Sequence, residues 1–67
     1  MEKLQITNRD RVLRAWQEST QLVRDYQDNA NEIANEDKHL ADLFAKYAED
    51  EAFHAKKLLE ILHEYEN

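Results

Sequence analysis

Glycine, proline and cysteine are all missing from the 67 residues of this chain. Glycine and proline punctuate tight turns and sheet corners, so their absence argues against a many-turned β fold and leaves long, uninterrupted helices. Without cysteine there are no disulfides to hold a small fold together and no thiolate ligands for a metal. Below roughly 70 residues a chain encloses little apolar surface by itself, which leaves a bound metal, a partner chain or both as the source of stability. Long hydrophobic runs are missing too. No segment approaches the roughly 20 apolar residues of a membrane span, and the charged start Met1-Glu2-Lys3 lacks the apolar stretch of a secretory signal. Basic residues are in the minority, 9 against 15 acidic, for a formal charge of −6. That balance is wrong for nucleic acid, which needs a basic face, and suits cations better. The chain reads as a soluble, cytoplasmic protein, with neither nucleic acid nor membrane as a partner.

What is present is helical periodicity. Thr7, followed three positions later by Asp10, forms an N-cap signal with an acidic first turn, so a helix is expected from about residue 8 to 34. Val12, Trp16, Ser19, Val23, Tyr26, Ala30 and Ile33 recur at alternating four- and three-residue steps and define one face of it. The periodicity lapses between Asn35 and Asp37, where a short turn reverses the chain. A second helix follows over about residues 38–65, with Leu40, Phe44, Tyr47, Glu51, His54, Leu58, Ile61 and Tyr65 as its stripe. Ala41, Leu43, Ala48, Ala55, Leu59 and Leu62 flank that stripe. The second helix is therefore apolar over a wider arc than one neighbour can cover. The fold class is all-α: residues 1–67 form a single two-helix antiparallel hairpin, expected to dimerise into a four-helix bundle.

Two of the eight stripe positions in the second helix are ionisable, and placing them in an apolar seam costs several kcal/mol, by general estimate, unless each is paired or bound. Glu51 and His54 stand at i and i+3, on one helix face and a turn apart, where both can ligate a single ion. Glu-x-x-His on a bundle helix is the ligand pattern of carboxylate-bridged dimetal sites. If the turn centres near residue 35 or 36, Glu18 on the first helix lies at the level of both, flanked by Ala15 and Leu22. Glu18, Glu51 and His54 are thus the candidate metal ligands and catalytic residues. A two-fold axis at their level gives a homodimer four glutamates and two histidines, a set suited to two Fe(II) or Mn(II) ions shared between subunits.

Glu18, the 33-residue interval to Glu51, and the run Leu43-Phe44-Ala45-Lys46-Tyr47-Ala48-Glu49-Asp50-Glu51-Ala52-Phe53-His54-Ala55 resemble the first helical hairpin of rubrerythrins and related ferritin-like diiron-carboxylate proteins. The resemblance spans roughly Val12 to Leu62. A rubrerythrin proper has four helices in one chain and a cysteine-ligated iron domain; this chain has half the helices and no cysteine. Its architecture is closer to the encapsulated ferritins, whose short hairpins build a diiron site between subunits, although the final Glu64-Tyr65-Glu66-Asn67 shows no shell-targeting tail. The resemblance implies a ferritin-like four-helix bundle and an iron cofactor of two ions per dimer, with manganese or zinc as other occupants. It also implies a homodimer or higher homo-oligomer, an external electron donor, and either iron oxidation (ferroxidase) or reduction of peroxide or O₂.

Two other readings stay open. In one, Glu51 and His54 pair across a dimer and only fix its register, making the chain a non-catalytic helical assembly module. In the other, the metal is structural. Tyr47, one turn before Glu51, is placed either to hydrogen-bond a ligand carboxylate or simply to pack. Trp16 and Tyr26 read as core aromatics. His39 and His63 fall among charged residues and read as exposed, and Asp25, Asp28 and Glu32 read as a solvated acidic face.

Overall fold

A computed structural model describes residues 6–66; the opening Met1-Glu2-Lys3 and the final Asn67 lie outside the described residues. Two α-helices, α1 (Asn8–Ile33) and α2 (Lys38–Glu66), pack antiparallel as a hairpin. The helix ends follow from local chemistry. Thr7 and Asp10 form a full capping box: the Thr7 hydroxyl accepts from the Asp10 amide at 3.1 Å, and the Asp10 carboxylate accepts from the Thr7 amide at 3.3 Å. Two otherwise orphaned donors at the start of α1 are thereby satisfied. At the turn, the amides of Glu36 and Asp37 both donate to the Ile33 carbonyl, at 3.0 and 2.9 Å, closing α1 without a left-handed residue. Asp37 then caps α2, its carboxylate accepting from the Leu40 amide at 3.0 Å. The shared Ile33 carbonyl closes α1 and the Asp37 cap opens α2, so the chain reverses without glycine.

The seam between the helices is built on small residues. Ser19 of α1 and Ala41, Ala48 and Leu62 of α2 are the buried positions, each under a tenth exposed. Ala41, Ala48, Ala55 and Leu62 follow one another at seven-residue intervals, so the three alanines let the backbones approach closely along most of the contact. This shifts the line of contact expected from the sequence. Leu40, Tyr47, Ile61 and Tyr65 are not in the seam but are 40 to 50 % exposed, because α2 turns its alanines inward and leaves the larger apolar side chains at its edge. Only Phe44, Glu51 and Leu58 of the expected stripe remain at intermediate burial.

Near the turn, Tyr26, Phe44 and Tyr47 form an aromatic cluster with ring centroids 5.8 to 6.5 Å apart, a spacing at which tilted rings attract. At the open end, Arg9 of α1 pairs with Glu66 of α2 at 2.7 Å. The hairpin measures 54 × 28 × 11 Å. Its smallest dimension equals one helix diameter, about 10–12 Å, so the protein is a single layer, and no large side chain among the described residues is fully buried. No helix among them is long and apolar enough to cross a membrane.

Candidate metal half-site

Glu51 lies midway along α2 and faces Ser19 across the seam. The Ser19 hydroxyl donates to Glu51 Oε2 and also lies 3.4 Å from the Glu51 carbonyl oxygen. A hydroxyl has one proton, and the ionised carboxylate is the stronger acceptor. This bond holds a carboxylate whose side chain is only 19 % exposed. Ser19 belongs to the helix-1 stripe expected from the sequence, and its number and that of Glu51 match the register set by a turn near residue 35. What the pattern did not reveal is that a small residue on that stripe would be the carboxylate's anchor; the signal was its level along the hairpin.

The other carboxylate oxygen, Glu51 Oε1, stands 3.3 Å from His54 Nδ1. Two ligands each about 2.1 Å from one ion sit about 3.0 Å apart in octahedral and about 3.4 Å apart in tetrahedral geometry. The pair therefore has the spacing of two donors aimed at one cation, and also that of a hydrogen bond with a protonated Nδ1. His54 itself is displaced from the seam position expected for it: its side chain is 63 % exposed. Six residues beyond the buried Ala48, it falls about 120° around α2 from the line of contact. The imidazole consequently needs no compensation for burial within one chain, whereas the carboxylate does and receives it from Ser19.

The chain does not bring Glu18 to this pair. Its side chain is 72 % exposed and sits 3.5 Å from Arg14 on its own helix. Neighbouring residues on a helix are about 100° apart, so with Ser19 turned into the seam Glu18 must project from the side. Which side is fixed by a groove on the other broad face of the hairpin, where Gln27 and Asn31 of α1 line up with Ala45, Ala48 and Ala52 of α2. Gln27 lies on the opposite side of α1 from Glu18, and Ala45 and Ala52 on the opposite side of α2 from Tyr47 and His54. Glu18, Glu51 and His54 therefore share the remaining broad face, although among the described residues of one chain no three acidic, histidine or cysteine side chains gather closely enough to hold a metal ion.

The rest of that face on α2 is apolar. Leu40, Tyr47 and Ile61 share with His54 a line of seven-residue steps, and all four are exposed. Tyr47 packs into the aromatic cluster with Tyr26 and Phe44. His39 and His63 are exposed, as are Asp25, Asp28 and Glu32. No protein-family model, curated protein or solved structure matches the chain.

Proposed function

We propose that the hairpin is one half of a carboxylate-bridged dimetal protein, in which two copies stack as a ferritin-like four-helix bundle and hold two iron ions between them. The observation that carries this reading is the Ser19–Glu51–His54 arrangement. It presents a mostly buried, anchored carboxylate and an exposed imidazole nitrogen, spaced as donors to one cation, on the apolar broad face of a layer too thin to enclose a core. Glu18 on the same face supplies the further carboxylate once a second layer covers it. Glutamates and neutral imidazoles are donors that suit Fe(II), with Mn(II) or zinc as other occupants.

When bound, the iron pair supplies the electrons for reducing O₂ or peroxide, so the activity is iron oxidation or peroxide removal in the cytoplasm, with an external donor where turnover requires re-reduction. Ser19 fixes the Glu51 carboxylate against rotation, and Glu51 and Glu18 supply negative charge that favours the oxidised metal. His54 offers a neutral nitrogen, and the apolar residues along its line exclude water. Anaerobic loading with Fe(II) followed by O₂ is expected to give two ferric ions per dimer and a new near-ultraviolet absorption, both lost in Glu51→Ala and His54→Ala. Loading that is indifferent to both substitutions contradicts the assignment. A redox-inert metal that only raises the melting temperature would make the site structural instead.

A further inference from the structure

Few side chains of this protein give up electrons easily. Cysteine is absent and Met1 is the single methionine, so sulfur oxidation has no place in the middle of the hairpin. What remains is aromatic: Trp16 and the three tyrosines, Tyr26, Tyr47 and Tyr65. Two of these touch. Tyr26 of α1 and Tyr47 of α2 have ring centroids 5.8 Å apart at an interplanar angle of 55°. Phe44 backs both rings, 6.0 Å from Tyr26 and 6.5 Å from Tyr47; having no phenol, it packs without competing as an electron donor. Trp16 and Tyr65 are remote from the pair, Trp16 about 15 Å from Tyr26 along α1 and Tyr65 about 27 Å from Tyr47 along α2. Tyr47 also stands on the broad face of Glu51 and His54, one turn, about 6 Å along α2, before Glu51.

We infer that Tyr26 and Tyr47 form an oxidative modification site, at which the two rings are joined by a carbon–carbon bond with hydrogen peroxide as the oxidant. The oxidant rests on the dimetal reading, whereas the site rests on the ring geometry. Each phenol gives up its hydroxyl proton and one electron, leaving a radical whose spin reaches the ring carbons beside the oxygen. One such carbon from each ring forms the new bond. The two ring hydrogens it displaces move to the phenol oxygens, and aromaticity returns. In balance, two phenols and one hydrogen peroxide become one linked bisphenol and two waters. The rings must approach by about 1.5 Å, the length of one carbon–carbon bond, and small rotations about their side-chain torsions provide this. The link closes a loop of about 20 residues and staples α1 to α2 at the turn end of the hairpin. Oxidising equivalents that reach no external donor thus end in a staple between helices.

Tyr26→Phe and Tyr47→Phe test the site while keeping each ring, its packing and all the proposed metal ligands. Wild type treated with Fe(II) and hydrogen peroxide is expected to gain dityrosine fluorescence and to stay monomeric on denaturing gels. Peptide mapping by mass spectrometry should give one Tyr26–Tyr47 pair, lighter by two hydrogens than the separate peptides. Both phenylalanine variants should lose fluorescence and linked pair alike, as should Glu51→Ala, which lacks a proposed ligand. A metal-free arm oxidises the same chains with a photoexcited ruthenium complex, persulfate taking up the electrons, and is expected to give the same pair in wild type and in Glu51→Ala. Linkage in the light-driven arm with none under Fe(II) and peroxide, or with equal yield there in Glu51→Ala, supports the tyrosine site and overturns the dimetal assignment. Oxidation that lands in both arms on Trp16 or Tyr65, or that joins separate chains, overturns the tyrosine site and leaves the dimetal assignment standing.

Discussion

The two broad faces of this hairpin are made by the same pair of helices and differ in nearly every respect. One carries Glu51, His54 and the exposed apolar line Leu40, Tyr47, Ile61. The other carries a shallow groove of alanines bordered by Gln27, Asp28, Asn31 and Glu49, with exposed Lys56 and Glu60 beyond it. The alanine side is lined by small side chains and a charged rim, with Phe53 exposed at its outer edge under the Lys57 ammonium. The other side leaves the large apolar residues Leu40, Tyr47 and Ile61 40 to 45 % exposed, beside a carboxylate already held in place. The difference puts the exposed apolar line and the Glu51–His54 pair on one side, which is what the proposed dimetal dimer requires.

The sharpest way to break this comparison is to change the charge on each face in turn. Ile61→Asp should cost about 2–3 kcal/mol, because a second layer would bury the new carboxylate without a partner, whereas Lys56→Ala should stay within about 0.5 kcal/mol. Thermal denaturation followed by circular dichroism, at two protein concentrations, measures both. Equal and small effects would mean that both faces meet water. A smaller effect is expected at the seam. Ser19→Ala should lower stability by about 1–2 kcal/mol and weaken metal binding about tenfold, since Glu51 loses its anchor but keeps its place on the helix. Isothermal titration with Mn(II), an oxygen-stable probe, would show it. At the open end, Arg9→Ala removes a half-exposed pair with Glu66 and should change stability by no more than about 0.5 kcal/mol. A loss comparable to that of Ser19→Ala would mean that the hairpin is held from its ends and not from its middle.

Much of the fold was legible because α-helix and hairpin are written in local signals. The Thr7–Asp10 cap, the lapse at Asn35 to Asp37 and the unbroken three- and four-residue spacing place both helices to within a residue or so of where they lie. The rotation of α2 about its own axis was harder to read. An apolar arc this wide fits several contact lines, and the one adopted by the single chain follows close backbone approach at Ala41 and Ala48, not side-chain size. That rotation leaves His54 exposed while keeping Glu51 in contact with Ser19. Glu18 was legible as level with the pair, but level does not fix direction, and its outward position follows from Ser19 occupying the seam. These three residues share a face in one chain without touching as a set, so the proposed site is complete only under the proposed dimer.

Native mass spectrometry of the chain after anaerobic loading with Fe(II) tests the central claim most directly, because it counts metal and chains in the same particle. The account predicts a dimer carrying two ions and a monomer carrying none, with Glu51→Ala giving metal-free particles. Ions retained by the monomer, or a dimer that never acquires them, would contradict it.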